Sequence, residues 1–370
     1  MNTFAEIIHE YDWEKLRNSI YSKTSMDVKK SLEKDKLDLE DFKALLSPAA
    51  ADHLEHMAYL SNKKTLKRFG KTMQMYIPLY LSNVCQNTCT YCGFSAKNHI
   101  QRNVLSPEEV LDEVKAIKKM GFDHLLLVTG EASHKVGIEY FKEIMKMVRP
   151  YFAQISMEVQ PLEENEYKEL ISLGLTNVYI YQETYNSKNY NLYHPSGKKA
   201  DFKYRLETPD RLGRAKIYKI GLGVLLGLED WRTDSFFTGI HLRYLQKRYW
   251  QTKYCISFPR IRPAEGISSP SILVSEKELV QLICAYRLFD EDLELSLSTR
   301  ESSIFRNHAL KLGITSFSAG SKTYPGGYAK VNPTLEQFEV GDNRSPREIA
   351  ALIRSQGYEV VWKDWDPVLQ

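Results

Sequence analysis

From about residue 75 onward, short apolar runs alternate with amphipathic helical patterns, and this alternation constrains the fold more strongly than any other feature. Each run has the length of a strand: MYIPLYL (75–81), HLLLV (124–128), QISMEV (154–159), NVYIY (177–181), LGVLL (222–226), YCISF (254–258), LELSL (293–297) and ITSF (314–317). A typical intervening helix pattern is SPEEVLDEVKAIKKMG, with Ser106 as the expected N-cap and Gly121 at the end. Eight consecutive strand–helix units predict a parallel α/β fold, the (β/α)8 TIM-type barrel.

An open doubly wound sheet is the alternative arrangement of such units, but the GxGxxG turn typical of that class does not accompany them. Helical patterns run throughout residues 4–68, which predicts an N-terminal helical extension, residues 1–70, before the barrel of residues 71–320. Residues 321–370 do not continue the alternation of strands and helices, and they predict a C-terminal extension that packs on the barrel. The loop at 259–275 exceeds the usual length and indicates a possible substrate loop.

The charge balance excludes several classes of partner. The chain of 370 residues has 50 basic and 47 acidic side chains, a formal net charge of +3, which argues against a nucleic-acid groove or a polybasic membrane surface. Its apolar runs are too short to span a membrane, and the first residues lack the apolar core of a signal peptide. We therefore expect a cytoplasmic protein without nucleic-acid or membrane partners.

Three of the five cysteines cluster in one short stretch, at Cys85, Cys89 and Cys92, with C-x3-C-x2-C spacing. Thiolates prefer soft or borderline metals, so zinc and iron–sulfur are the candidates. Zinc would need a fourth ligand, which His99 could supply. A [4Fe–4S] cluster is usually held by four cysteines, so three would leave one iron open. The position after the first strand, where barrels place active sites, favours the cluster over a structural zinc site.

The stretch CQNTCTYC resembles the CxxxCxΦC signature of the radical S-adenosylmethionine (SAM) superfamily, in which Φ is aromatic and here is Tyr91. The resemblance implies that the three cysteines bind a [4Fe–4S] cluster and that Tyr91 and Phe94 lie beside the cofactor. In that superfamily the open iron chelates SAM. An electron from the cluster then cleaves the sulfonium to methionine and a 5′-deoxyadenosyl radical.

The ends of the next strands carry residues that the same resemblance assigns to SAM. VTGE (128–131) resembles the GGE-type motif of the superfamily, with Thr129 in place of the first glycine. The segment YRLETPDRLGRAK (204–216) resembles the one that supplies an arginine to the SAM carboxylate. The implied SAM-binding residues are Thr129, Gly130, Glu131, Glu158, Gln182, Glu183 and Arg205.

Strands six to eight should face the substrate. Their ends carry hydroxyl and guanidinium groups, which suit the carboxylate of a free amino acid. The residues predicted to position the substrate are Ser257, Arg260, Arg262, Arg300 and Ser318, with Ser298, Thr299, Gly320 and Ser321 beside them.

Longer motifs resemble the 2-iminoacetate synthase family over most of residues 70–370. They include VYIYQETYN, SFPRIRPAEG, LSTRE and the ending DNRSPREIAALIRSQGYEVVWKDWD. The resemblance implies cleavage of the Cα–Cβ bond of L-tyrosine to p-cresol and 2-iminoacetate (dehydroglycine), for thiamine thiazole biosynthesis. It also implies a thiazole synthase as partner and a flavodoxin- or ferredoxin-type electron donor.

Three alternatives remain open at this point. One is a lyase of another aromatic amino acid, tryptophan. Another is the tyrosine lyase of [FeFe]-hydrogenase maturation, whose second cluster uses C-terminal cysteines. The last cysteine here is Cys284, and it and Cys255 have apolar neighbours typical of buried residues. The third alternative, from another class, is a non-enzymatic zinc-binding module.

Overall fold

A computed structural model describes residues 3–267, 272–330 and 336–363. Eight parallel strands close into a barrel in chain order, because β1 pairs with both β2 and β8. The strands are β1 Thr72–Ser82, β2 His124–Thr129, β3 Gln154–Glu158, β4 Leu175–Tyr179, β5 Lys219–Leu222, β6 Lys253–Ser257, β7 Glu294–Leu297 and β8 Ser316–Ser318. The expected TIM-type barrel is confirmed.

Helices surround the barrel and follow the strands. They are α6 Pro107–Lys119, α7 Ile138–Val148, α8 Glu164–Ser172, α9 Tyr190–Tyr193, α10 Phe202–Leu206, α11 Thr208–Arg214, α12 Trp231–Arg248, α13 Glu276–Phe289 and α14 Ser303–Ala309. Several begin with reciprocal capping of the first turn. Ser106 accepts from the amide of Glu109, whose carboxylate accepts from the Ser106 amide. One face of each long helix then buries its apolar residues against the strands.

The N-terminal segment is helical but broken, where the sequence suggested continuous helix. It consists of α1 Phe4–Ile7, α2 Trp13–Tyr21, α3 Ser25–Leu32, α4 Leu39–Leu46 and α5 Leu54–Phe69. Acidic and threonine caps start new helices at Asp12, Thr24 and Asp38. The segment packs on α12 and α13, where Phe4 stacks on His241 and Phe42 on Phe289.

Strand β5 begins and ends earlier than the sequence predicts. Its first residue, Lys219, is buried and donates to the Glu294 carboxylate at 2.6 Å, so the strand starts with a charge that an apolar pattern does not detect. The apolar run continues beyond Leu222 as isolated bridges of Val224 with Glu183 and of Leu226 with Arg260.

The chain after β8 returns to the barrel. Helix α15, Pro346–Ser355, leads into β9, Glu359–Val361, which pairs in parallel with the start of β1. Before that helix, Gln337 and Phe338 reach the mouth of the barrel. Residues 268–271 of the long loop and 364–366 of the VWKDWD ending lie outside the described residues. Among the helices of the described chain, none combines the length and apolar character needed to cross a bilayer.

Candidate active site

A deep cavity opens at the carboxyl ends of the barrel strands. It is lined by residues from the loop after β1, the ends of β2 to β4 and β6 to β8, and the C-terminal segment. In a barrel of this type the carboxyl ends of all strands meet at one face, which places side chains distant in sequence around one space. The sequence-predicted groups can therefore be located one set at a time.

The three clustered cysteines all line this cavity, and the loop that holds them is tightly fixed. The Arg102 guanidinium donates to four backbone carbonyls around it, including those of Asn83 and Phe94 at 2.8 Å. Burial and the neighbouring Cys92 raise the pKa of the Cys85 thiol to about 11. Three thiols in this setting resist ionisation unless a metal cation replaces their protons, so the donor set fits an iron–sulfur cluster.

The geometry disfavours the zinc alternative. His99 is exposed and does not line the cavity. Within residues 3–267, 272–330 and 336–363, no three His, Cys, Asp or Glu side chains converge closely enough to hold a single metal ion. A cluster spreads its ligands over several iron atoms, whereas zinc needs them around one point.

The VTGE turn after β2 lies directly against the cysteine loop. A Cβ atom at Gly130 would lie 2.3 Å from the Val84 carbonyl oxygen, so only glycine fits there. Gly130, which the resemblance assigns to SAM, therefore also allows the cysteine loop to approach this turn closely. Beside it, the Thr129 hydroxyl is buried without a partner in the described chain.

Two acidic residues assigned to SAM are joined with two cations in one network. Glu131 accepts from Arg205 at 2.9 Å and from the Asn87 amide at 2.9 Å. Glu183 accepts from the Lys199 ammonium at 2.7 Å and lies 3.7 Å from Arg205. Although burial alone would raise the pKa of Glu131, Arg205 and Lys199 lower it, so this carboxylate is ionised.

Lys199 was not detected in the sequence, because it lies in the loop SGKKA, which is typical of solvated surface. In the structure it is a partly buried member of the network, and its ammonium lies 5.6 Å from the centroid of the Tyr91 ring. The Tyr91 hydroxyl donates to Nε2 of His194, whose Nδ1 donates to a backbone carbonyl. The signal that could have indicated Lys199 is its proximity in sequence to Arg205.

Glu183 lines the cavity and Gln182 does not. Gln182 is buried, and its side-chain amide lies 3.5 Å from the Phe202 carbonyl. Glu183 has φ of 70°, a strained value for a non-glycine residue, which its contact with Lys199 helps to hold. Gln160 likewise points away and donates to Val136.

The three arginines predicted to hold a substrate carboxylate have different surroundings. Arg260 does not line the cavity, and its guanidinium is occupied by the buried Glu301 carboxylate and the Val274 carbonyl. Arg262 lines the cavity but also lies 3.3 Å from Glu301. Arg260 therefore does not offer its guanidinium to a carboxylate in the cavity, because it lies outside the lining and is engaged by Glu301 and Val274.

Arg300 is the arginine that remains open. It lines the cavity and stacks 3.3 Å above the Phe338 ring centroid. Among the described residues its guanidinium makes one long hydrogen bond, 3.5 Å to the Arg260 carbonyl. The serine and threonine residues predicted to lie beside these arginines also line the cavity, whereas Gly320 does not. The members that line it are Ser257, Ser298, Thr299, Ser318 and Ser321.

Aromatic side chains form the walls below these polar groups. Four tyrosines point into the cavity from alternate positions of β1 and from the end of β4: Tyr76, Tyr80, Tyr179 and Tyr181. Phe94 packs edge-on against Tyr80. The sequence analysis assigned no role to these tyrosines, although alternation within MYIPLYL places Tyr76 and Tyr80 on one face.

Comparison with known proteins agrees with this geometry. Residues 79–237 match the family described as "Radical SAM superfamily", and residues 257–359 match "Biotin and Thiamin Synthesis associated domain". A curated 2-iminoacetate synthase of Escherichia coli (strain K12) is 51% identical over 370 residues, which is 100% of this chain and 98% of that protein. The chain belongs to the 2-iminoacetate synthase family. A member from Salmonella typhimurium is also 51% identical, over 99% of this chain and 97% of its own length.

As a member of the 2-iminoacetate synthase family, the protein is a radical SAM enzyme of the carbon–carbon lyase type. Its fold is similar to the crystal structure of HydG, a maturase of the [FeFe]-hydrogenase. The TM-score is 0.90 at 33% identity, and the match covers 95% of this chain and 80% of HydG. The roles assigned to individual site residues are not tested by these comparisons and stay predictions.

Proposed function

We propose that the protein cleaves the Cα–Cβ bond of L-tyrosine to 2-iminoacetate and p-cresol, with SAM converted to methionine and 5′-deoxyadenosine. The observation that carries the proposal is that one cavity, with aromatic walls, joins the three-cysteine loop to Arg300, which has no ion-pair partner in the part of the chain that the structure describes. The names of the full-length relatives support the product, 2-iminoacetate.

Cys85, Cys89 and Cys92 would hold a [4Fe–4S] cluster, with Tyr91 and Phe94 packed beside it. When bound, the cluster and SAM supply the 5′-deoxyadenosyl radical that begins the reaction. The chain's own contribution is a rigid loop: Gly93 donates to the Gln337 carbonyl at 3.2 Å, and the Gln337 side-chain amide lies 3.7 Å from the Cys92 sulfur. Such contacts orient metal ligands and tune the metal centre.

Thr129, Gly130, Glu131, Glu183 and Arg205 would receive SAM. The Glu131 carboxylate is suited to an ammonium group because Arg205 and Asn87 fix it in place while it stays ionised. Arg205 is suited to a carboxylate, although the bond to Glu131 already occupies part of its guanidinium. Gln182 is not adjacent to the cavity, so its assigned ribose contact has no support from the geometry.

Arg300 would bind the tyrosine carboxylate, helped by Arg262 and the hydroxyl groups of Ser257, Ser298 and Ser318. Its stack on Phe338 fixes the plane of the guanidinium, which favours two parallel hydrogen bonds to a carboxylate. The tyrosine walls and Phe338 exclude water from the space between substrate and cofactor, which a radical reaction requires.

The immediate product, an imine of glyoxylate, hydrolyses in water, so transfer to a thiazole synthase is the expected fate. A flavodoxin- or ferredoxin-type protein is the proposed electron donor. Both partners are inferred from the family resemblance, and a cytoplasmic location is proposed from the sequence analysis.

The test is anaerobic reconstitution followed by incubation with SAM, dithionite and each aromatic amino acid separately. We expect a brown protein that forms 5′-deoxyadenosine and p-cresol with tyrosine. Formation of deoxyadenosine without p-cresol would retain the radical SAM activity and reject tyrosine as substrate. An indole product from tryptophan would favour the tryptophan alternative.

A matched pair of variants tests the arginine assignment. Arg300→Lys keeps the charge but loses the planar fork, and we expect kcat/KM for tyrosine to fall by about 100-fold while SAM affinity is retained. Lys216→Ala, at a position outside the cavity lining, is the control and should match the wild-type protein. Unchanged tyrosine turnover in Arg300→Lys would remove Arg300 from the proposal.

A further inference from the structure

The charged side chains that line the cavity differ in whether the protein neutralises them. Ion pairs connect two carboxylates with two cations beside the cysteine loop: Glu131, Glu183, Arg205 and Lys199. Arg262 forms an ion pair with Glu301. Glu158 lines the same cavity but has no hydrogen bond or ion pair within the described part of the chain, and Arg300 has no carboxylate partner there. One carboxylate and one guanidinium therefore line the cavity without an ion-pair partner in the described chain.

The two open groups lie on opposite sides of the barrel. The strand order of the closed sheet separates β3, which ends in Glu158, from β7, which precedes Arg300, by four positions in either direction. Burial raises the pKa of Glu158, and the Arg300 charge opposes that rise. Both side chains line the one cavity, and no ion pair joins them. The space between them suits a ligand with one positive and one negative end.

The surroundings of Glu158 make its lack of a partner costly. Tyr80 and Tyr181 line the same cavity as Glu158. Burial raises the pKa of both phenols, and the Glu158 charge adds to the rise. A partly desolvated carboxylate that accepts no hydrogen bond has lost hydrogen bonds from water without replacing them. A bound ammonium group would replace those lost hydrogen bonds. Arg300, stacked on the Phe338 ring, is the group available to the carboxylate end of the same ligand.

We propose that Glu158 binds the ammonium group of the amino-acid substrate, while Arg300 binds the carboxylate across the barrel. The inference rests on the proposed function and makes it more specific: the site recognises a zwitterionic α-amino acid by its two charges. It reassigns Glu158, which the sequence placed with SAM. Glu131 and Glu183 beside the cysteine loop are already fixed by Arg205 and Lys199, whereas Glu158 is free to accept a new cation.

The test deletes each charge in the ligand and in the protein. Two analogues of tyrosine serve as probes: 3-(4-hydroxyphenyl)propanoate, which lacks the ammonium, and tyramine, which lacks the carboxylate. Their affinities and that of tyrosine are measured by calorimetry on the reconstituted holoenzyme with SAM and without reductant. The readout is the ratio of affinities, which general damage to the protein would not change selectively.

We expect the wild-type holoenzyme to bind tyrosine about 10- to 100-fold more tightly than the propanoate. In Glu158→Gln the affinity for tyrosine should fall by that factor while the affinity for the propanoate is unchanged, so the ratio approaches one. Arg300→Gln should show the mirror result, with discrimination against tyramine lost. Glu131→Gln is the matched control, which should weaken SAM binding and keep the tyrosine-to-propanoate ratio.

Two results would overturn the inference. One is a wild-type ratio of tyrosine to propanoate in Glu158→Gln, and the other is loss of SAM affinity in that variant with tyrosine discrimination intact. If Glu158→Gln does not retain its cluster, Glu158→Asp keeps the charge on a shorter side chain, and an unchanged ratio together with an unchanged tyrosine affinity would count against the proposal. Failure of the proposed function is separate, because it shows as a wild-type enzyme that makes no p-cresol.

Discussion

The charged residues of the cavity form two groups that are built in opposite ways. Beside the cysteine loop, Glu131, Arg205, Glu183 and Lys199 neutralise one another in a closed network. Across the barrel, Glu158 and Arg300 remain unpaired in the described chain. The first group is held by the protein's own ion pairs, and the second is the pair proposed to bind the two charged ends of the substrate. The difference predicts that mutations in the two groups will affect different properties.

The largest expected effect concerns the cysteine loop that the closed network surrounds. Cys89→Ala should abolish cluster assembly, because the three cysteines already provide one ligand fewer than the four that usually hold a [4Fe–4S] cluster. Iron content and visible absorbance after anaerobic reconstitution measure this. Cys284→Ala is the control: its thiol is buried in α13 and does not line the cavity, so full iron content is expected. Full iron content in Cys89→Ala would contradict the assignment of this side of the cavity.

The next effect is on stability and separates the two groups directly. Arg205→Ala leaves the buried Glu131 without its cation and should lower the free energy of unfolding by about 3–5 kcal/mol. Arg300→Ala breaks no ion pair and should cost less than about 1 kcal/mol. Chemical denaturation of both variants, without SAM or tyrosine, gives the comparison. Equal losses would show that the two groups do not differ as described.

A pH-dependent effect follows from the open carboxylate. Burial raises the pKa of Glu158 from 4.5 to about 7, with Glu183 adding to the rise and Arg300, Lys199 and Arg205 opposing it. The folded protein then binds the proton more tightly than the unfolded chain, so this residue costs stability as the pH rises from about 4.5 to 7. Glu158→Gln removes that cost.

We expect Glu158→Gln to match the wild-type free energy of unfolding near pH 4.5 and to exceed it by about 1–3 kcal/mol above pH 7.5. Denaturation of substrate-free protein across this pH range measures the difference. A difference that is constant with pH would contradict an unpaired carboxylate at this position.

The smallest expected effect concerns the ring that holds the open arginine. Phe338→Ala removes the stack on Arg300 and should raise the apparent KM for tyrosine by about 3- to 10-fold, with kcat little changed. Because the ring acts through the guanidinium, Phe338→Ala should add little in an Arg300→Lys background. Additive effects in steady-state kinetics would indicate that Phe338 acts independently.

The barrel and the cysteine loop could be predicted from the sequence because both depend on local patterns. Strand runs alternate with capped helices, and C-x3-C-x2-C is a contiguous motif at a strand end. The prediction of β5 was displaced because a buried ion pair of Lys219 with Glu294 begins the strand. An apolar pattern cannot detect a charge whose partner lies 75 residues away.

The roles of individual charges could not be predicted as well, because they depend on distant partners. Arg260 and Arg300 look alike in the sequence, each at a strand end, yet only Arg260 is occupied by Glu301. Lys199 resembles surface lysine until Glu183 is placed beside it. Gln337 lies far from the cysteines in sequence and close to them in space.

The position of Gln337 and Phe338 has a consequence for the order of synthesis. Both residues come after the last barrel strand, and Gly93 of the cysteine loop lies against the carbonyls of Glu336 and Gln337. A ribosome completes the barrel before it releases this part of the chain. Until then, Gln337 cannot contact the cysteine loop of the nascent chain, and Arg300 lacks its stack on the Phe338 ring.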